Sequence, residues 1–166
     1  MSVTQRILAS WRDPRGVMRG MLAAGQREDR ALVVLMVACL IMFVAQWPGL
    51  SRAAFLDPSV PLDARIGGAL MGTLFLVPPL AYGLAGLSHL AARAMGGQGS
   101  WYGARLALFW SLLVISPLML LQGLVAGFFG PGAGATVVGL LVLAGFLFQW
   151  INALVVAEAP RKEAGQ

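Results

Sequence analysis

The sequence predicts an all-α polytopic membrane protein, with four transmembrane helices preceded by short N-terminal amphipathic helices. Of its 166 residues, 58% are hydrophobic and only 11% are charged, whereas soluble domains carry about 25% charged residues. No charged residue occurs between Arg105 and Glu158, although about 20 apolar residues already suffice to cross a bilayer. This uncharged run is long enough for two spans, and we expect it to turn at the glycine- and proline-rich residues 130–134.

The first 30 residues are predicted to form a cytoplasmic amphipathic segment on the membrane surface. Two short stretches place apolar residues on one side of a helix and arginines on the other, and Asp13-Pro14 between them is typical of a helix start. Arg12, Arg15 and Arg19 are expected to contact lipid phosphates, with the apolar sides toward the hydrocarbon. The alternative is a soluble tail that becomes ordered only on a partner.

Residues 31–157 are predicted to form the four-span bundle. The expected spans are residues 31–50, 66–92, 104–129 and 135–157. Trp47-Pro48-Gly49 predicts the end of the first span, because two helix breakers follow an interfacial tryptophan there. Pro78-Pro79 predicts a kink in the second span, since two backbone donors are missing. A short cytoplasmic tail, residues 158–166, is expected to follow the bundle.

Small residues recur along single faces of the predicted second and third spans. Membrane helices pack through such residues because they let two backbones approach closely. We therefore expect a helix-packing interface, inside the bundle or with a partner, formed by Gly68, Gly72, Pro79, Gly83, Gly86, Ser116, Gly123 and Gly127.

The basic residues predict which way the chain crosses the membrane. With four spans, ten of the 12 lysines and arginines lie on the side of both termini, and only Arg52 and Arg65 lie on the other. By the positive-inside rule, both termini are cytoplasmic in a multi-pass protein of a bacterial inner membrane. Trp101 and Arg105 are expected to contact headgroups, so the net charge of +5 indicates anionic lipid rather than nucleic acid.

Few residues offer catalytic chemistry. His89 is the single histidine and Cys39 the single cysteine, which excludes histidine-rich and cysteine-rich metal sites. All seven acidic residues lie outside the predicted spans, so the sequence predicts no buried carboxylate for a proton relay or a cation site. We therefore expect no enzymatic activity, no cofactor and no bound metal.

A few polar side chains are nevertheless expected within the membrane: His89, Gln122, Gln149 and Asn152. The simpler interpretation is hydrogen bonding between helices, worth about 0.6–2 kcal/mol for each bond. The alternative is a polar conduit or ligand site between the second, third and fourth spans.

Several short motifs resemble those of the bacterial Yip1-domain membrane proteins. They are Asp13-Pro14-Arg15, Trp47-Pro48-Gly49-Leu50-Ser51-Arg52, and Gly96-Gly97-Gln98-Gly99-Ser100 ahead of Arg105 and Pro117, with Trp150 in the last predicted span. The resemblance covers nearly the whole chain and implies a polytopic helical bundle with a cytoplasmic N-terminus. Eukaryotic members of that family bind small GTPases and take part in vesicle traffic, and many members have five spans. The resemblance supplies no catalytic residues.

From the sequence we expect a non-enzymatic scaffold or accessory subunit of a membrane complex. Its expected partners are the lipid bilayer and other membrane proteins or further copies of the chain. Two alternatives remain open: a transporter or channel component that uses the polar residues of spans two to four, and a lipid-organising or membrane-shaping protein.

Overall fold

A computed structural model of the chain describes residues 2–160. Its helices are α1 (Val3–Arg12), α2 (Pro14–Ala23), α3 (Glu28–Leu56), α4 (Leu62–Leu70), α5 (Val77–Ala94), α6 (Trp101–Phe129) and α7 (Ala133–Glu158), with a π-helical segment, Met71–Leu76, between α4 and α5. Residues 2–160 contain no strand, so the prediction of an all-α fold is confirmed. The predicted tail lies outside the described residues from residue 161 onward.

Within the described chain, four helical stretches are long and apolar enough to cross a membrane. They contain 29, 33, 29 and 26 residues, the second comprising α4, the π segment and α5. At about 1.5 Å per residue, each is longer than the hydrocarbon core of about 30 Å. We name the end of the bundle where α6 begins and α7 ends the Arg105 end. The opposite end, where α3 ends and α7 begins, is the Arg52 end.

Helix α6 is the central helix of the bundle. Nearly every side chain from Tyr102 to Ser116 is buried, because α3, α5 and α7 pack around this stretch and α1 contacts it as well. Beyond Pro117, toward the Arg52 end, α6 is half-buried or exposed. The bundle is therefore tightly packed at the Arg105 end and open at the Arg52 end.

The first span does not end at the predicted residue 50, because α3 continues through Pro48 to Leu56. Pro48 removes one backbone hydrogen bond, yet this part of α3 packs closely against α6. An added Cβ at Gly123 would collide with the Ala45 carbonyl oxygen, and one at Gly127 would lie 2.8 Å from the Pro48 carbonyl carbon. This backbone contact between two helices outweighs the local helix-breaking tendency of proline.

The second span runs from Leu62 to Ala94 instead of residues 66–92, and it contains the π segment directly before its two prolines. Pro78 and Pro79 cannot donate to the carbonyls four residues earlier. The N–H of Val77 donates instead to the Gly72 carbonyl, five residues back. A wide π-helical turn therefore lies directly before the two prolines, close to where the sequence predicts a kink.

The other two spans are slightly longer than predicted. Helix α6 begins at Trp101 instead of residue 104, and α7 covers Ala133–Glu158 instead of residues 135–157. The turn between them lies where the sequence predicts it. Gly130 in this turn has a φ of 75°, a left-handed conformation that glycine adopts without steric cost.

The predicted N-terminal amphipathic helices are present as α1 and α2. Asp13 begins α2 as predicted: its carboxylate accepts a hydrogen bond from the Gly16 N–H at 2.8 Å, and Pro14 lies in the first turn. The two helices pack on the bundle, α1 against α6 and α2 against α7. Met18 and Met21 are buried there, so the prediction that the apolar side of α2 faces lipid is wrong. Packing against protein removes this apolar surface from water as effectively as insertion into lipid would.

The loop between α3 and α4, at the Arg52 end, is held by side-chain contacts. Arg65 forms an ion pair with Asp57, with 3.2 Å between Nη2 and Oδ2. Hydrogen bonds from Ser59, together with Arg65, hold the pKa of the Asp57 carboxyl below its usual range. Arg65 is thus neutralised by a carboxylate of its own loop.

Candidate functional site

A pair of ionisable side chains is buried at the Arg105 end. His89 on α5 and Glu158, the last residue of α7, form a hydrogen bond of 2.6 Å between Nδ1 and Oε1. Their side chains are only 3% and 6% exposed. An ionised carboxylate can only accept hydrogen bonds, so Nδ1 then carries the proton. The other carboxylate oxygen accepts a hydrogen bond from the Gly99 N–H at 3.2 Å.

The loop between α5 and α6 begins with a Schellman motif. The Gly97 N–H donates to the Ala92 carbonyl at 2.8 Å, and the Gly96 N–H donates to the Arg93 carbonyl at 3.0 Å; both bonds define this helix ending. Gly96 has a φ of 94°, which favours glycine. The motif turns the chain sharply toward the end of α7.

The next glycine of this loop makes room for Glu158. An added Cβ at Gly99 would collide with the Ala157 carbonyl oxygen and would lie 2.6 Å from Glu158 Oε2. Beside it, the Gln98 N–H donates to the Glu158 carbonyl at 2.9 Å. The absence of a side chain at position 99 therefore lets the end of α7 reach the loop.

The burial of Glu158 corrects the expectation that the chain has no buried carboxylate. Glu158 lies just beyond the predicted end of the fourth span at residue 157, so it was predicted to belong to the cytoplasmic tail. In the structure, α7 includes this residue, and α5 and the glycine-rich loop enclose it. Two local features of the sequence belong to this site: Glu158 is the first charged residue after a long uncharged run, and three glycines precede α6. Neither feature shows that the end of α7 and the loop before α6 are in contact.

The surroundings of the pair favour a structural role. The Trp101 ring lies 4.6 Å from the His89 ring and remains 47% exposed. The Ser100 hydroxyl accepts a hydrogen bond from the Gly103 N–H at 3.1 Å, so it caps α6. Among residues 2–160, no three or more histidine, cysteine or acidic side chains form a group that could hold a metal ion. The pair joins α5, α7 and the loop before α6.

Gln149 and Asn152, two of the predicted polar intramembrane residues, bind the N-terminal helices. Gln149 Nε2 donates to the Ser10 carbonyl at 3.0 Å. The Ser10 hydroxyl accepts a hydrogen bond of 3.0 Å from Trp110 Nε1. Arg15 Nε donates to Asn152 Oδ1 at 2.8 Å. These bonds match the simpler interpretation, which is hydrogen bonding between helices. A polar conduit would require contacts with the second span, and these bonds involve α1, α2, α6 and α7 instead.

The basic residues predicted to contact headgroups fall into two groups. Arg105 forms an ion pair with Glu28 at the start of α3. The N-terminal arginines, Arg12, Arg15 and Arg19, are all exposed, although Arg15 and Arg19 each donate one hydrogen bond from Nε to protein. For these three residues, contact with lipid phosphates stays a prediction.

The third-span residues of the predicted helix-packing interface lie inside the chain. Gly123 and Gly127 pack against the backbone of α3, as described above. Ser116 is buried, and its hydroxyl donates to the Leu113 carbonyl at 2.8 Å. Close packing of α3 and α6 therefore depends on small residues of α6.

The second-span residues of that interface lie mostly at the surface. An added Cβ would meet no atom within 4 Å at Gly68, Gly72 or Gly83, and Pro79 is exposed. Gly86 differs, since a Cβ there would lie 3.5 Å from the ring of Trp101. The expectation of packing inside the bundle is thus wrong for the first three glycines. Contact of this face with a partner stays a prediction.

An open groove of 480 Å³ runs between α3 and α6 toward the Arg52 end. Its walls are mostly apolar, but they include two amides, Gln46 and Gln122. Gln46 Nε2 donates to the Thr73 hydroxyl on the π segment at 2.8 Å. Gln122 makes no side-chain hydrogen bond to any of residues 2–160. Gln122 was predicted as a polar intramembrane residue, but the groove was not predicted, because it forms only when two helices distant in sequence pack together.

Comparison of the chain with protein-family models, with curated proteins and with solved structures found no match in any of the three. The resemblance to the Yip1-domain proteins therefore stays a prediction that rests on the motifs named above.

Proposed function

We propose that this chain is a non-enzymatic scaffold or accessory subunit of a membrane complex, and that the open glycine face of its second span contacts the partner. The observation that carries this proposal is a contrast between two sets of glycines. Gly123 and Gly127 of α6 are used in packing against α3, whereas Gly72 and Gly83 present bare backbone at the surface of the chain. In a bilayer, close backbone approach is what joins helices, since lipid chains are as apolar as leucine.

The π segment supports the same assignment. Pro78 and Pro79 withdraw two backbone donors from the turn before them, in the middle of the second span. Carbonyl groups that lose their donors are unfavourable in hydrocarbon, and a neighbouring helix can supply new ones. Short π-helical turns inside α-helices are also frequent at functional sites.

The proposal includes an orientation. The Arg105 end carries Arg93 and Arg105, whereas Arg52 and Arg65 lie at the other end. By the positive-inside rule, the Arg105 end faces the cytoplasm of a bacterial inner membrane.

The alternative functions have less support from the geometry. A conduit would need unpaired polar groups along a path through the bundle, but Gln149 and Trp110 are hydrogen-bonded to Ser10. Insertion of the N-terminal helices into lipid would need their apolar sides free, but Met18 and Met21 of α2 are buried against the bundle.

Purification from the native membrane in mild detergent tests the proposal. We expect a stoichiometric partner to co-purify with the wild-type chain, and Gly72→Leu and Gly83→Leu to reduce its amount about tenfold, since an overpacked contact costs about 1–3 kcal/mol. The thermal stability of the chain itself should stay unchanged, because an added Cβ at either position meets no atom of the chain within 4 Å.

Gly20→Leu is the matched control, because an added Cβ at this α2 glycine also meets no atom within 4 Å. It should retain the partner. Retention of the partner by both second-span variants, or solute transport in liposomes by the purified chain alone, would overturn the proposal.

A further inference from the structure

A cation lies beyond one end of the groove between α3 and α6, next to its lining residues. Leu50 and Ala126 line it toward the Arg52 end, and Met42 lines it about 12 Å deeper, eight residues back along α3. Arg52 follows Leu50 by two residues, and its Nη1 donates to the carbonyls of Gly127, at 3.5 Å, and Phe128, at 3.4 Å. The guanidinium group therefore lies where the groove meets the end of the bundle.

One of the residues that line the groove has no side chain. This residue is Gly49, and an added Cβ there would meet no atom within 4 Å. The lining residues extend from Met42 to Leu50 along α3, which is long and apolar enough to cross a membrane.

The guanidinium group of Arg52 has N–H donors that no acceptor in residues 2–160 uses. Arg65 is paired with Asp57 and Arg105 with Glu28, but among residues 2–160 no carboxylate pairs with Arg52. Its two hydrogen bonds are long and both come from Nη1, and its Nε is buried without an acceptor. A guanidinium group with unused donors near a membrane surface is complementary to a phosphate group.

The amide of Gln122 adds a second polar point inside the groove. Gln122 lies about 8 Å along α6 from the carbonyls that Arg52 binds, and its side chain makes no hydrogen bond to the described chain. An amide without a partner is unfavourable in an apolar environment. Deeper in the groove, the wall is formed by apolar side chains, including Met42 and Met119.

We propose that this groove binds one anionic phospholipid from the leaflet at the Arg52 end. The phosphate lies on Arg52, an ester carbonyl accepts a hydrogen bond from the Gln122 amide, and one acyl chain follows the apolar wall to Met42. The groove presents a cation, an amide donor and an apolar channel in the order in which a phospholipid carries its phosphate, ester and acyl chain. Charge complementarity at Arg52 favours a lipid over a partner helix or a second copy of the chain.

Native mass spectrometry of the delipidated full-length protein in detergent tests this site. We expect dioleoyl phosphatidylglycerol to bind at one saturable site. Dioleoyl phosphatidylcholine, which has the same acyl chains and phosphate but also a choline cation, should bind about tenfold more weakly, because the Arg52 guanidinium repels that cation. Arg52→Gln should weaken binding of phosphatidylglycerol by a similar factor, and Arg52→Lys should weaken it less. Glycerol 3-phosphate, which lacks acyl chains, should not bind detectably.

Two glycine variants test the groove itself. Gly49→Leu places a side chain in the groove, where its Cβ meets no atom within 4 Å, and should abolish the saturable binding. Gly67→Leu, at an α4 glycine with equally open surroundings, should not change it. Thermal denaturation of each variant without lipid verifies that it is folded. Gly72→Leu should bind phosphatidylglycerol normally, so failure of the lipid site and failure of the partner interface are distinguishable.

Several results would overturn the lipid site. Equal binding of the two lipids, together with unchanged binding by Arg52→Gln, rejects the phosphate contact. Wild-type binding by Gly49→Leu rejects the groove. A Gly49→Cys variant that forms a disulfide-linked dimer in membranes assigns the groove to a second copy instead, since the other cysteine, Cys39, is buried. A co-purified protein that phosphatidylglycerol displaces assigns it to a partner.

Discussion

At the scale of single residues, the contact between His89 and Glu158 joins three parts of the chain that are far apart in sequence. The carboxylate receives hydrogen bonds from the imidazole on α5 and from the backbone of Gly99 before α6. The imidazole is buried and Gly99 is partly buried, so loss of the carboxylate leaves at least the imidazole N–H without an acceptor.

Glu158→Ala should therefore lower the free energy of unfolding by about 1–3 kcal/mol, the penalty for buried donors left without an acceptor. Thermal denaturation in detergent measures this change. Glu28→Ala is the control: Glu28 pairs with Arg105, but its side chain is 53% exposed. An exposed pair contributes less than about 1 kcal/mol.

The double variant His89→Ala/Glu158→Ala shows whether the two side chains act together. Its destabilisation should be smaller than the sum of the two single effects, because a coupled pair shows an interaction energy of about 0.5–3 kcal/mol. Additive effects would mean that the hydrogen bond of 2.6 Å contributes nothing to stability.

At the scale of helices, the contact between α3 and α6 depends on two glycines. Gly123→Leu should destabilise the bundle by about 3 kcal/mol or more. The leucine Cβ would collide with the backbone of Ala45, which cannot rotate away as a side chain can. Thermal denaturation in detergent measures this effect, and Gly72→Leu should leave the midpoint unchanged. Equal midpoints for wild type and Gly123→Leu would contradict the packing of these two helices.

The same contact explains which helix features the sequence could predict. The existence of four spans follows from local hydrophobicity, which is why it was predicted correctly. The end of the first span was predicted wrongly because Pro48 is a helix breaker by local rules only. Its neighbour in space, Gly127, lies 79 positions away, and no local pattern shows that the two backbones touch. For a related reason, the π segment was not predicted: proline shows that a backbone donor is missing, but not which helical turn forms beside it.

At the scale of the whole molecule, the two ends of the bundle differ in packing and in charge. The Arg105 end is closed by the N-terminal helices and by the buried His89–Glu158 pair, whereas the Arg52 end opens into a groove. This difference matches the uneven distribution of basic residues, which predicts that the closed end is cytoplasmic.

Reporter fusions test this orientation. A reporter fused after Gln166 should be cytoplasmic, and one inserted near Ser59, in the α3–α4 loop, should be periplasmic, because ten of the 12 basic residues lie on the side of the termini. Alkaline phosphatase activity measures the periplasmic location and green fluorescence the cytoplasmic one. A C-terminal reporter active in the periplasm would require an odd number of spans.

The candidate sites were the least predictable part of the molecule. Gln149 and Asn152 were identified as polar residues in the fourth span, but their partners on α1 and α2 were not, because the N-terminal helices were assigned to lipid. Amphipathic helices have the same pattern whether the apolar side meets lipid or protein. Only the assembled bundle distinguishes the two, as the burial of Met18 and Met21 shows.

The attachment of the N-terminal helices also determines the order in which the protein can be completed during biosynthesis. Ser10 binds Trp110 and Gln149, which lie 100 and 139 positions later in the chain. At about 5–20 residues per second, the ribosome reaches Gln149 roughly 10–30 s after Ser10. The N-terminal helices are synthesised before the four spans but reach their final position only after the last of them, and until α7 is inserted the buried methionines of α2 have no binding site. During that interval, α1 and α2 remain available to the membrane surface or to a chaperone.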